Sequence, residues 1–295
     1  MRLALFCRPH QVPGRDLASC LEVAKAADEA GLHGFLFGDH LLMTARTDRY
    51  PYGEYQHALE VPWLEPLTTL AAVAAVTTRL RLSTGVLLAP LRSPLVLAKT
   101  IATLDVLSHG RVELGIGTGW QREEYEAVGL VWGERNARLD EAVRACRVLW
   151  GEQPVDFSSA GTSFDEAWTL PRPVQERVPL LFGMAMTEAN AHRVAELGDG
   201  WMPVGVERVE LAAGAARLRA AFATAGRDPA TVIVQLSVGA MLDGAGRLDR
   251  TATAAAARPM FEAGATVVSI VLPAGLPSMD HALQFVHDLG DCAGD

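Results

Sequence analysis

The chain has 295 residues, of which 49% are hydrophobic, 21% charged and 6% aromatic, and this balance excludes a disordered, fibrous or disulfide-scaffold protein. Lys and Arg number 26 against 35 Asp and Glu, a formal net charge of −9, so the basic footprint that a nucleic-acid binder needs is missing. Length alone leaves one domain or two open, because an α/β barrel runs ~250 residues as a single domain.

Along the chain, strand-length apolar runs alternate with segments of helical period. Residues 3–7 read as the first strand and 17–30 as the first helix, with Leu17, Leu21, Ala24 and Ala27 on one face and Gly31 as its stop. Residues 34–37 form the second strand, and a helix starts at Pro66 and runs through Thr77. A third strand at 80–88 precedes a helix at 94–107, and a fourth at 112–116 precedes helical stretches at 123–128 and 135–150. A fifth strand at 180–182 leads to a helix at 188–197. Strands at 201–204, 232–238 and 267–272 are followed by helices at 209–224, 253–263 and 279–289. Eight such units predict an α/β fold of the closed (β/α)₈ TIM-barrel class rather than an open doubly wound sheet, with residues 1–295 as one domain.

Two connections exceed an ordinary loop. Residues about 43–64 hold Tyr50, Tyr52, Tyr55 and Trp63, and lie after a strand, where barrel chemistry is built. They form either a lid or a surface excursion that packs its own aromatics. Residues about 151–178 carry two β-prone runs around a small polar turn, a hairpin at the opposite end of the barrel. Cys7, Cys20, Cys146 and Cys292 are scattered without a C-x-x-C, as expected of reduced thiols. The amino-terminal apolar run stops at Arg8, and the stretch 263–279 is broken by Gly264, Pro273, Gly275 and Pro277. The expectation is a cytoplasmic protein with neither membrane nor nucleic acid as partner.

No histidine pair stands at metal-ligand spacing and no G-x-S-x-G elbow is present, so no metal site is expected and covalent catalysis has no support. What remains clusters at strand ends. Gly38-Asp39-His40 follows the second strand; an imidazole there suits proton transfer, and the pair also suits a structural hydrogen bond. Gly85 interrupts the third strand, which marks either a close backbone approach to a ligand or a tight spot against a neighbour. Gly115-Ile116-Gly117-Thr118-Gly119-Trp120, running into a helix, offers backbone amides to a phosphate.

With Ser93-Pro94-Leu95-Val96-Leu97-Ala98-Lys99-Thr100, Leu104-Asp105-Val106-Leu107-Ser108 and Gly110-Arg111-Val112-Glu113-Leu114-Gly115-Ile116-Gly117, the chain resembles the luciferase-like monooxygenase superfamily. Glu123-Glu124-Tyr125, residues 135–140 and Glu196-Leu197-Gly198-Asp199-Gly200-Trp201 extend the match, which is nearer to the branch that uses the deazaflavin coenzyme F420. The resemblance implies a homodimeric barrel with the cofactor at its mouth and a small molecule as substrate. Asp39 and His40 match a pair near the deazaflavin ring, with His40 the candidate proton donor. Gly85 and Val86 match a non-proline cis peptide behind the ring, and Gly117, Thr118, Gly119 and Trp120 match cofactor contacts, Thr118 and Gly119 at the phosphate. Gly183-Met184-Ala185 replaces the Gly-Gly of many relatives at a further phosphate contact.

Trp120 stands where the sugar-phosphate dehydrogenases carry a catalytic Glu, and an indole cannot perform that proton transfer, so glucose-6-phosphate oxidation is not expected. Arg122 and Arg135 are either cations for the acidic tail of F420 or ordinary solvated arginines. The function implied is an F420-dependent oxidoreductase moving a hydride between the deazaflavin C5 and a small organic substrate. Alternatives are an FMN-dependent monooxygenase supplied with reduced flavin by a partner reductase, and a noncatalytic flavin-binding paralogue. A metal-dependent barrel hydrolase is disfavoured by the missing ligand spacing.

Overall fold

The apolar runs become short strands buried on both faces, as parallel pairing under a coat of helices requires. In the computed structural model, which describes residues 1–55 and 57–294, these are β1 (Leu3–Phe6), β2 (Gly34–Phe37), β3 (Arg81–Thr84), β4 (Leu87–Leu88) and β5 (Leu114–Gly117). A hairpin of β6 (Val155–Ser158) and β7 (Ser163–Ala167) follows, then β8 (Leu180–Gly183), β9 (Gly200–Trp201), β10 (Ile233–Gly239) and β11 (Val267–Val271). The helices are α1 (Leu17–Glu29), α2 (Pro66–Val76), α3 (Pro94–Leu107), α4 (Arg122–Ala127), α5 (Arg135–Leu149), α6 (Glu188–Leu197), α7 (Arg208–Thr224), α8 (Arg250–Glu262) and α9 (Met279–Gly294).

The main sheet runs β3-β2-β1-β11-β10-β9-β8-β5-β4, with every pair parallel. β3 and β4 are two halves of one stave. β3 also bridges the approach to β5, where the Leu82 amide donates to Arg111 O at 2.9 Å and the Glu113 amide to Leu82 O at 3.0 Å. Eight staves therefore close into the expected (β/α)₈ barrel. Its interior is filled by Ala4, Phe6, Leu36, Leu181, Met202 and Val267, and a larger apolar layer joins the strands to the helices. Side-chain caps start several helices: Asp16 accepts from the Ser19 amide, Thr187 from Asn190 and Asp249 from Ala252.

Two strands differ from expectation. The third is not continuous over 80–88 but broken by a cis peptide between Gly85 and Val86. The sixth ends at Trp201 rather than 204: the Met202 amide makes a last bond to Phe182 O at 3.0 Å, and Pro203 and Val204 lie along the barrel mouth.

The amino ends of the strands are pinned by polar side chains. Asp28 accepts the amides of Thr78, Arg79 and Leu80, and Asp105 those of Val174 and Gln175. Buried Arg111 donates to the carbonyls of Ser108, Leu80, Ala74 and Thr77. Asp199 accepts from Arg147, Arg177 and Arg227. The second insertion forms the expected antiparallel hairpin at this end, with Phe157 and Phe164 stacked at 5.5 Å. The first, in its described residues, carries only a 3₁₀ turn at Thr47–Arg49 and belongs to the opposite end. Among the described residues no helix is long and apolar enough to cross a membrane, and the four cysteines are buried and unbridged.

Candidate active site

At the carboxyl ends of the strands lies a cavity of about 510 Å³. Its wall brings together Asp39, His40, Gly85, Val86, Thr118, Gly119, Trp120, Gly183 and Met184, nine of the residues singled out from sequence. The topology explains this, since they sit at the ends of four staves: after β2, between β3 and β4, after β5, and at the end of β8. Gly117 lies one residue below the wall, and Ala185 is exposed beside it.

Among the described residues, His40 is the one imidazole at this mouth anchored by a carboxylate. Its Nδ1 lies 3.1 Å from Oε2 of Glu124 in α4, and Glu124 Oε1 accepts the Leu41 amide at 2.7 Å. Glu124 is 1% exposed, so it serves the histidine rather than solvent. With Nδ1 donating to that carboxylate, Nε2 is the nitrogen left to exchange a proton. Asp39 plays a different part. Its carboxylate takes the Leu88 amide at 2.7 Å and both terminal nitrogens of Arg92, at 2.6 and 3.1 Å. Arg92 reaches on to Glu65, and this bridge ties the end of β2 to the turn after β4. Burial pulls the Arg92 guanidinium down, but the hydrogen bond and charge of Asp39 outweigh it and hold its pKa above the ordinary value.

Val86 forms the back wall. A Cβ on Gly117 would meet Val86 Cγ2 at 2.7 Å, and one on Gly183 would meet Cγ1 at 2.8 Å. Those two glycines are thus needed to seat Val86, a packing reason beside the phosphate reading of the glycine run. Next to them the Tyr125 hydroxyl donates to Thr118 O at 2.7 Å and fixes that turn.

The first insertion supplies the cover. Trp63 stands 4.8 Å from the His40 ring, and Tyr50 and Tyr55 lie 5.2 and 5.7 Å from Trp120, which itself is 6.0 Å from His40. Of the two readings of this segment, the structure has its aromatics lining the cavity rather than packing apart. Burial, with the charge of Arg8 behind it, pushes the His57 pKa down to about 4.

Arg122 pairs with Glu126, and Arg135 stacks 4.0 Å over Trp132; neither lines the cavity. Sequence reasoning missed three groups. Glu124 appeared only as part of a matched motif, Arg92 not at all, and Arg8 merely as the end of an apolar run. For Arg8 a signal existed: a cation two residues past the first strand falls at the mouth of a barrel. Among the described residues no group of three or more His, Cys, Asp or Glu is placed to hold a metal ion.

Comparison with known proteins follows from this geometry. The family described as luciferase-like monooxygenase matches residues 1–272. An uncharacterized protein of Mycobacterium tuberculosis is 40% identical over 175 residues, 59% of this chain and 62% of the relative. The F420-dependent hydroxymycolic acid dehydrogenase of the same organism is 31% identical over 249 residues, 82% of this chain and 63% of that one. The aligned stretch thus spans under two thirds of either relative. Among solved structures, the monooxygenase RslO1 from Streptomyces bottropensis overlays with a TM-score of 0.79 at 25% identity, covering 99% of this chain and 98% of the other.

Proposed function

The chain belongs to the luciferase-like monooxygenase family, and from that premise we propose that it is an F420-dependent oxidoreductase moving a hydride between the deazaflavin C5 and a small organic substrate. The observation that carries the reading is the His40–Glu124 pair at the wall of an aromatic-covered cavity. The F420-dependent dehydrogenase among the relatives supports the choice of cofactor.

The residues present fit such a group. Val86 offers a smooth back wall between two glycines without side chains, and the backbone at Thr118–Gly119 and Gly183–Met184 is open to a phosphate. The deazaflavin, when bound, supplies a two-electron hydride centre. His40 holds or gives the accompanying proton at Nε2, and Glu124 orients the ring. Asp39, whose oxygens are taken by Leu88 and Arg92, positions His40 rather than reacting. Trp63, Tyr50 and Tyr55 exclude water from the pair.

A second reading, an FMN-dependent monooxygenase supplied by a partner reductase, draws on the full-length likeness to RslO1. Titration of the purified chain with F420 and with FMN, followed by fluorescence, separates the two. Tighter binding of F420 is expected, and preference for FMN overturns the deazaflavin assignment. We propose further that the chain forms a homodimer through the outer face of α3, where Val96 is 63% exposed and Lys99 holds the Leu170 carbonyl beside exposed Trp168. Buried free thiols agree with a cytoplasmic site.

A further inference from the structure

We propose that Arg8 is a specificity-determining cation of the cavity, receiving a carboxylate of the substrate; the proposal rests on reading the cavity as a substrate site.

Arg8 follows β1 and lines the cavity, half-buried, with its guanidinium carbon 5.1 Å from the Phe6 ring centroid. Comparison with other arginines shows what is unusual about it. Arg92 is bound to Asp39 and Glu65, and Arg49 donates to Glu123 at 2.7 Å. Among the described residues no carboxylate lies within ion-pair distance of Arg8. A guanidinium carries five donors in a planar fork that matches a carboxylate, and leaving it partly desolvated without an acceptor is costly. The other charges on the wall do not offset it: Asp39 is neutralised by Arg92, and His57 is neutral at physiological pH. A second donor is unfilled on the same wall, since the indole nitrogen of Trp63 is buried and has no partner.

Position around the barrel distinguishes substrate from cofactor. In the ring of eight staves β1 stands beside β2, which carries His40, and directly across from β8. The backbone suited to a phosphate is at Thr118–Gly119 and Gly183–Met184, after β5 and β8. An anion on Arg8 is therefore on the His40 side of the mouth, away from the phosphate side. Tyr50, Tyr55 and Trp120, packed on one another with ring centroids 5.2 to 5.7 Å apart, form an aromatic cluster on the same wall. The substrate class is a carboxylate on a small, flat apolar body.

Benzoate and neutral, near-isosteric benzamide test this, their binding to the wild type, Arg8→Gln and Arg8→Lys read by tryptophan fluorescence and saturation-transfer NMR. The wild type is expected to prefer benzoate by at least about tenfold, the yield of a charge-assisted hydrogen bond. Arg8→Gln should abolish the preference, and Arg8→Lys, which keeps charge without the fork, should retain part of it. Equal binding of the two probes by the wild type, or a preference that survives in Arg8→Gln, overturns the proposal. If the Gln variant fails to fold, an undiminished preference in Arg8→Lys overturns it instead. F420 titrations of the same proteins should be unaffected by Arg8→Gln; a matching fall in F420 affinity would assign the cation to the cofactor and also overturn it. A wild type that distinguishes the probes but does not bind F420 leaves Arg8 in its role and sinks the F420 reading alone.

Discussion

One buried carboxylate holds both His40 and the backbone that follows it: Glu124 takes Nδ1 of His40 at 3.1 Å with one oxygen and the Leu41 amide at 2.7 Å with the other. A helix of six residues thereby fixes a catalytic candidate on a different stave, 84 positions earlier in the chain. Anchoring of this kind sets the tautomer and the ring plane before any ligand arrives.

His40→Ala is accordingly expected to slow F420-dependent turnover by ~10²-fold or more while F420 affinity stays nearly intact. Glu124→Gln keeps the volume but loses the charge, and should slow turnover about 10- to 100-fold. The double variant should be little slower than His40→Ala, because Glu124 acts through the histidine. Single-turnover rates and F420 titrations check all three; additive losses would show that Glu124 works independently of His40.

Gly183→Ala probes the back wall. The new methyl would sit 2.8 Å from Val86 Cγ1, and Val86 is already held on its other side by the space at Gly117. Overpacking of this kind costs about 1–3 kcal/mol. A fall in the denaturation midpoint with a weaker F420 affinity is expected. An unchanged affinity would mean that the wall does not face the cofactor.

The barrel was legible because parallel strands buried on both faces read as near-continuous apolar runs, as β1 and β2 do, and β11 but for Ser269. The mouth was legible for the same reason, since strand ends converge wherever eight staves close. Other features depend on contacts far apart in the chain. Arg92 meets Asp39 across 53 positions, and nothing local to either residue announces it. Part of the matched sequence proved to work at the other end: in the runs 104–108 and 110–117, Asp105, Ser108 and Arg111 tie loops at the amino ends of the strands. Matched residues can be structural, and only the topology tells which end they serve.

Asp199 should dominate acid stability at that end. Burial raises its carboxyl pKa, but Arg147 and Arg177 outweigh burial and leave it below the ordinary value of 3.8. A carboxylate held low in the folded state stabilises the protein fully above its unfolded pKa, and that stabilisation is lost as pH falls through the lower, folded value. Asp199→Asn leaves three guanidinium groups without their partner and should cost about 3 kcal/mol or more at neutral pH. Denaturant melts at pH 7 and at pH 3 check it: the gap between wild type and variant should narrow in acid, and a constant gap would count against the ion pairs as its source.

His57 gives the cover its own pH dependence. Burial first, and then the charges of Arg8, His10 and His40, lower its pKa from 6.5 to about 4. Between those values the unfolded or opened segment binds a proton that the closed one does not, so closure weakens as pH falls from 6.5 towards about 4. Because Trp63 packs 6.5 Å from His57 and 4.8 Å from His40, opening should change indole emission before the barrel itself unfolds. His57→Gln cannot take up that proton and should flatten the fluorescence change across this range, while far-ultraviolet circular dichroism stays constant in both proteins. A fluorescence transition that persists unchanged in His57→Gln would remove this residue as its cause.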